Sequence, residues 1–201
     1  MRPLTDLDFD AQYYSTGCGR PYGRDAVWLA FFDRIADGIV ATVRPGRTLD
    51  AGCVWGLLVE ALRARGVDAY GFDVSSFAIS QVAEAVRAYC WRASATDEIE
   101  GRYDLIVCQE IFPHLTEDAG RQAIANFCRH ADRVLFSSGA YPPHERHLNA
   151  LGPADWEGVF ASEGFRRDLS VDASFMTPWA AYYFRTAELA SVACVPGRGN
   201  R

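Results

Sequence analysis

The residues able to do chemistry in this 201-residue chain gather at two bends. The first follows a short apolar run and reads Leu49-Asp50-Ala51-Gly52-Cys53-Val54-Trp55-Gly56. Glycines in such a bend let the backbone approach a ligand closely, and a helix starting behind it offers unbonded N–H groups. The second bend, Gly71-Phe72-Asp73, closes the next apolar run with a carboxylate that can accept both hydroxyl hydrogens of a ribose. A glycine bend followed by an acid at the next strand end indicates an adenosine-containing cofactor. Proton transfer would call on one of four histidines, at positions 114, 130, 144 and 147. His114 and Glu110 follow the most apolar run of the chain, and His147 belongs to the loop from Tyr141 to Asn149. His130 falls late in a polar helix and reads as structural. His144 and His147 are one residue short of the metalloprotease spacing and lie in a Pro-led loop, so no metal site is expected.

These residues need elements to hold them. Apolar positions three and four apart (Trp28, Phe31, Phe32, Ile35, Ile39, Val43) predict an amphipathic helix from Arg24 to Val43, stopped by Pro45-Gly46. Strand and helix then alternate. Strands are expected at Arg47–Asp50, Ala69–Asp73, Cys90–Ser94, Tyr103–Gln109 and Arg133–Ser137, and helices at Gly56–Arg65, Ser76–Tyr89, Thr116–His130 and Pro153–Glu163. Two late strands, Arg166–Val171 and Ala180–Arg185, have little helix between them and suggest a terminal antiparallel pair. This order predicts an α/β fold: a Rossmann-like, doubly wound, seven-stranded and mostly parallel sheet with helices on both faces. Ligands bind such sheets beyond the strands' C-terminal ends, where strand order reverses. Residues 1–23 read as an irregular arm, 24–190 as the domain proper and 191–201 as a disordered tail.

Composition removes several function classes. Half-apolar composition with 23% charged residues is that of an ordinary globular domain, and no apolar run is long and charge-free enough to span a membrane. With no secretory leader either, a cytoplasmic protein is expected. A net charge of −6 without a Lys/Arg cluster argues against a nucleic-acid partner. Six cysteines without a Cys-x-x-Cys pair read as free, mostly buried thiols.

The loop Asp50-x-Gly52-x-Val54-x-Gly56 departs from the pyrophosphate fingerprint of dehydrogenases, which needs three glycines at another spacing. It resembles the glycine motif of class I S-adenosylmethionine (SAM)-dependent methyltransferases at three of four fixed positions, with Val54 where the middle glycine would stand. The run Tyr103-Asp104-Leu105-Ile106-Val107-Cys108-Gln109-Glu110-Ile111-Phe112-Pro113-His114-Leu115 is similar to the fourth-strand motif of small-molecule members, with Pro113 in place of a Glu. Tyr14–Tyr22, Leu49–Ile79, Tyr103–Leu115 and His147–Pro178 resemble a bacterial subgroup that occurs alone or fused to glycosyltransferases. The resemblance implies a reversed seventh strand beside the fifth. It also implies that Asp50, Gly52 and Cys53 face the methionine end of SAM, with Gly56 completing the motif. Asp73 would take the ribose, Val74 the adenine, and Ser94 and Ala95 the adenine edge. Gln109 and Glu110 would line the cleft floor, and the arm carrying Tyr14 and Tyr22 would fold over the cofactor as a lid.

On this reading the chain moves a methyl group from SAM to an O or N nucleophile of a small molecule, a sugar or secondary metabolite, leaving S-adenosylhomocysteine (SAH). His114, His147 and Glu110 are the candidate catalytic groups. A non-catalytic SAM- or nucleoside-binding domain and a nicotinamide-dependent oxidoreductase remain the alternatives, as monomer or homodimer.

Overall fold

A computed structural model describes residues 4–18, 20–140 and 146–186. Its sheet runs β1 (Arg47–Ala51), β2 (Asp68–Asp73), β3 (Cys90–Arg92), β4 (Leu105–Gln109), β5 (Arg133–Ser137), β6 (Phe165–Arg167) and β7 (Ala181–Arg185). The spatial order is β3-β2-β1-β4-β5-β7-β6. The first five strands pair in parallel, while β7 lies antiparallel between β5 and β6. The expected α/β architecture and its reversed seventh strand are both present. Chain direction across the sheet reverses between β1 and β4, which opens the crevice where such sheets bind ligands.

Periodicity explains the layering. Leu105, Ile106, Val107 and Cys108 are all fully buried, because alternate side chains of β4 enter cores on opposite faces. One core packs Ile35 and Ile39 of α2 (Ala26–Thr42) with Leu58 and Leu62 of α3 (Leu57–Ala64). The other holds Ile124 and Phe127 of α5 (Glu117–His130) and Trp156 and Phe160 of α6 (Pro153–Ser162). Asp25 caps α2 by accepting from Val27 and Trp28, and Thr116 caps α5.

Four sequence expectations change. The N-terminal arm is ordered: a 3-10 turn at Asp6–Asp8 leads into helix α1 (Ala11–Thr16), capped by Asp10, whose Tyr13 and Tyr14 are buried. The helix expected over Ser76–Tyr89 breaks into α4 (Ser76–Ser80) and a 3-10 segment at Glu84–Tyr89. Arg87 replaces the missing helical bonds by donating to the carbonyls of Ser80 and Val82. The third strand stops at Arg92. The sixth ends at Arg167 because Asp168 folds back to accept from the Ser170 N–H. The expected tail lies outside the described residues, as do Cys194 and His144. The other five cysteines are free, four of them buried. Among the described residues no helix is long and apolar enough to cross a membrane.

Candidate cofactor and acceptor site

A cavity of about 670 Å³ opens above the C-terminal ends of β1, β2 and β4. The sheet supplies its floor, and the arm and α2 supply its roof. The arm is pinned down by Ser75 Oγ donating to the Phe9 carbonyl (2.6 Å) and the Ser76 N–H donating to Asp6 (2.6 Å), and is folded on itself by the Tyr22 N–H donating to the Tyr14 carbonyl (2.7 Å).

The β1–α3 bend has a particular backbone. Gly52, Val54 and Gly56 all hold positive φ, at 85°, 51° and 70°. Gly52 is required twice over, since a Cβ there would stand 2.3 Å from Cγ2 of Ile111. Val54, a β-branched residue in left-handed conformation, is strained and is held by its N–H donating to Asp73 Oδ2 at 3.0 Å. The Gly52 and Cys53 N–H groups both donate to the Phe72 carbonyl (2.8 and 2.9 Å), and the Gly56 N–H donates to the Cys53 carbonyl (2.8 Å). These four donors of the bend are therefore consumed inside the fold.

Two acids of the cavity are deeply buried. Asp50 is 5% exposed and Asp73 7%. Burial, with the nearby Asp73 charge second, raises the Asp50 carboxyl to about 8. Asp73 is raised by burial to about 6, opposed by the N–H bonds it accepts from Ser75 and Val54. Burial first and the Asp73 charge second also push the Tyr14 phenol up. The buried Tyr22 hydroxyl and Gln109 Oε1 have no hydrogen-bond partner among the described residues, and both side chains line the cavity.

At the other end of the cavity, the 3-10 turn Phe112–His114 presents a half-buried imidazole. His114 Nδ1 lies 2.6 Å from the Arg146 carbonyl and Nε2 lies 3.2 Å from the Tyr13 hydroxyl. A carbonyl only accepts, so Nδ1 carries the proton. The His147 ring centre lies 5.3 Å from that of His114. Asn149 ties its loop down by donating to the Phe112 and Leu115 carbonyls.

Most of the expected site residues meet here. Tyr14, Tyr22, Asp50, Gly52, Cys53, Asp73, Val74, Ser94, Ala95, Gln109, Glu110, His114 and His147 all line the cavity. Gly56 does not: it is the left-handed cap of α3, facing Cys90 and Val82. Cys53 turns its thiol away to Cys90 and packs against Gly71. Glu110 is an anchor in this geometry. It has positive φ (57°), and its carboxylate accepts from the Ser137 hydroxyl, the Gly139 N–H (3.0 Å) and the Trp179 indole (2.8 Å). Sequence reasoning placed Tyr13 in the lid but missed Phe9 and the cavity-facing side of α2 formed by Trp28, Phe31 and Phe32. The signal was present as aromatic residues on the helix edge next to the core stripe.

Sheet order, reversed strand and cavity position define the class I methyltransferase fold. Residues 48–133 match the family described as Methyltransferase domain. Among curated proteins, the ubiquinone biosynthesis O-methyltransferase of Alkalilimnicola ehrlichii is 32% identical over 102 residues, covering 46% of this chain and 41% of the relative. The chain thus spans less than half the length of that relative. The magnesium protoporphyrin IX methyltransferase of Synechocystis PCC 6803, solved with SAH, matches with a TM-score of 0.63 at 20% identity, covering 90% of this chain and 99% of the other. The SAM-bound amino pentose methyltransferase of Micromonospora echinaspora matches with a TM-score of 0.63 at 14% identity, covering 92% and 100%. The chain has the fold of the class I SAM-dependent methyltransferases, and residues 48–133 of it match a methyltransferase domain.

Proposed function

We propose that this chain transfers a methyl group from SAM to an O or N nucleophile of a small molecule, of the sugar or secondary-metabolite kind. The observation that carries this reading is the pair of buried carboxyl groups, Asp50 and Asp73, side by side in a cavity with many apolar and aromatic lining residues. Buried acids call for a cation, and SAM brings a sulfonium and an ammonium. A dinucleotide brings a pyrophosphate instead, which needs free N–H groups at the bend. The N–H groups of Gly52, Cys53, Val54 and Gly56 are already bonded within the fold, which argues against a nicotinamide enzyme. The small-molecule acceptors named for the relatives and neighbours support the acceptor class.

SAM when bound supplies an activated methyl group on a positively charged sulfur. The chain's own residues do the rest. Asp73, fixed by the Val54 and Ser75 N–H groups, has lone pairs left for the ribose hydroxyls. Val74 packs on the adenine beside Ser94 and Ala95. Asp50 and the unpartnered Tyr22 hydroxyl receive the methionine end. The closed arm excludes water, and His114 Nε2 receives the acceptor's proton. Calorimetry with SAM, SAH and NAD tests the reading: SAM and SAH bind and NAD does not. No SAM binding at millimolar concentration, or preferential NAD binding, refutes it.

A further inference from the structure

We infer that Asp50 exchanges a proton for the charge of the cofactor: its carboxyl group is neutral in the ligand-free protein and gives its proton to water as SAM brings a cation into the cavity. This rests on the methyl-transfer reading and adds a pH control to its first step. The first ground is what Asp50 lacks. It is 5% exposed, and among the described residues its carboxyl group makes no hydrogen bond and no ion pair. Among the described lining residues the single arginine, Arg20, is already paired with Asp25 at 3.0 Å, and there is no lysine. A buried acid with neither donors nor a cation is more stable protonated.

The second ground is the contrast with its neighbour. Strands β1 and β2 pair Asp50 with Gly71 and Ala51 with Phe72, which brings Asp73 to the same end of the sheet. Asp73 accepts from the Val54 N–H at 3.0 Å and the Ser75 N–H at 2.8 Å, and such donors stabilise a negative charge. Two neighbouring carboxyl groups with donors on one side only divide unequally: Asp73 holds the charge and Asp50 the proton. In line with that division, burial, with the Asp73 charge second, raises Asp50 to about 8, while burial opposed by the N–H bonds raises Asp73 only to about 6.

The third ground is the rest of the surroundings. Burial pushes up the phenols of Tyr14 and Tyr22 in the arm, the Cys18 thiol beside them and the Cys108 thiol of β4. The Cys90 thiol, with burial second, pushes Cys53 of the bend up as well, so all five stay neutral below pH 8. Helix α2 turns Val27, Trp28, Phe31 and Phe32 to the cavity, none of which titrates. Of the other charged groups, Asp6 of the arm acts on Asp73, Glu110 is held by Ser137, Gly139 and Trp179, and His114 and His147 stand at the far end. A ligand bearing an ammonium or sulfonium supplies the counter-charge that Asp50 lacks, so binding and deprotonation occur together. Each pH unit below about 8 then weakens binding close to tenfold.

The test is calorimetry of SAM and SAH binding at about pH 7 in two buffers of different ionisation heat, which counts the protons released. Each ligand should release more than about half a proton, and SAM affinity should rise about tenfold or more between about pH 6 and about pH 7.5. Methylthioadenosine keeps the nucleoside and has neither ammonium nor sulfonium, so it should release under about 0.2 protons. Asp50→Asn should abolish the release and flatten the pH dependence to about twofold or less. Release under about 0.2 protons with SAM and SAH overturns the proposal, as does equal release with methylthioadenosine or undiminished release in Asp50→Asn. The ligand comparison uses the unsubstituted protein, so it decides the matter even where Asp50→Asn binds too weakly to measure. Failure of the unsubstituted protein to bind SAM at any pH defeats the methyl-transfer reading itself, a separate and recognisable result.

Discussion

Replacing Asp50 by asparagine isolates the cost of a buried charge. Asp50 is 5% exposed, and its carboxyl is raised to about 8 by burial, with the Asp73 charge adding to it. In the unfolded chain an aspartate titrates near 3.9. A carboxyl raised by folding favours the protonated acid, so its contribution is fully present below about pH 4 and is lost as pH rises through about 8. At about 1.4 kcal/mol per pH unit, the ligand-free protein forfeits roughly 4 kcal/mol by pH 7 and about 5–6 kcal/mol above pH 8. Asp50→Asn keeps the shape and removes the titration. Urea denaturation of both proteins without ligand, from about pH 5 to about pH 9, measures the difference. The variant should gain on the parent with rising pH, steeply to about pH 8 and then level off, while losing affinity for SAM. A difference that stays flat with pH, or a variant less stable than the parent above pH 7, would refute the burial argument.

Three further outcomes are expected. Asp73→Ala should weaken SAH binding by about 1–3 kcal/mol through lost hydrogen bonds to a charged group, read by calorimetry; unchanged affinity removes Asp73 from the ribose role. Gly52→Ala should destabilise by roughly 2–4 kcal/mol, combining left-handed strain with overlap against Ile111, and a loss under about 0.5 kcal/mol in chemical denaturation contradicts it. Glu110→Ala leaves the Ser137, Gly139 and Trp179 donors without their shared acceptor, so it should lower stability by about 1–3 kcal/mol. If melting is unchanged and only turnover falls, Glu110 is a catalytic residue and not an anchor.

Much of the fold was legible because burial patterns leave marks in sequence. The run Leu105–Cys108 is continuously apolar because β4 is covered on both faces, and the three-and-four spacing of α2 marks the stripe it buries. Where tertiary contacts outweigh local preference, the sequence misled. Ser76–Tyr89 has helical composition, yet Arg87 satisfies the Ser80 and Val82 carbonyls and lets the chain turn. Residues 1–23 look irregular because their helix is only six residues long and is stabilised chiefly by packing Tyr13 and Tyr14 against other parts of the chain.

Of the candidate site, the sequence by itself located the residues at the ends of β1 and β2. Asp50, Gly52 and Asp73 sit at the ends of adjacent strands, and their spacing follows from one βαβ unit, a local quantity. Only the tertiary structure decided what surrounds His114. Tyr13 and His114 are 101 positions apart, and Arg146 is a further 32 beyond, yet one hydrogen-bonded line joins them. It also decided that Glu110 is held by three donors and that the Gly52, Cys53, Val54 and Gly56 N–H groups of the bend are spent within the fold. Hydrogen-bond partners are chosen by which surfaces the packed elements bring together, and no periodicity along the chain encodes that choice.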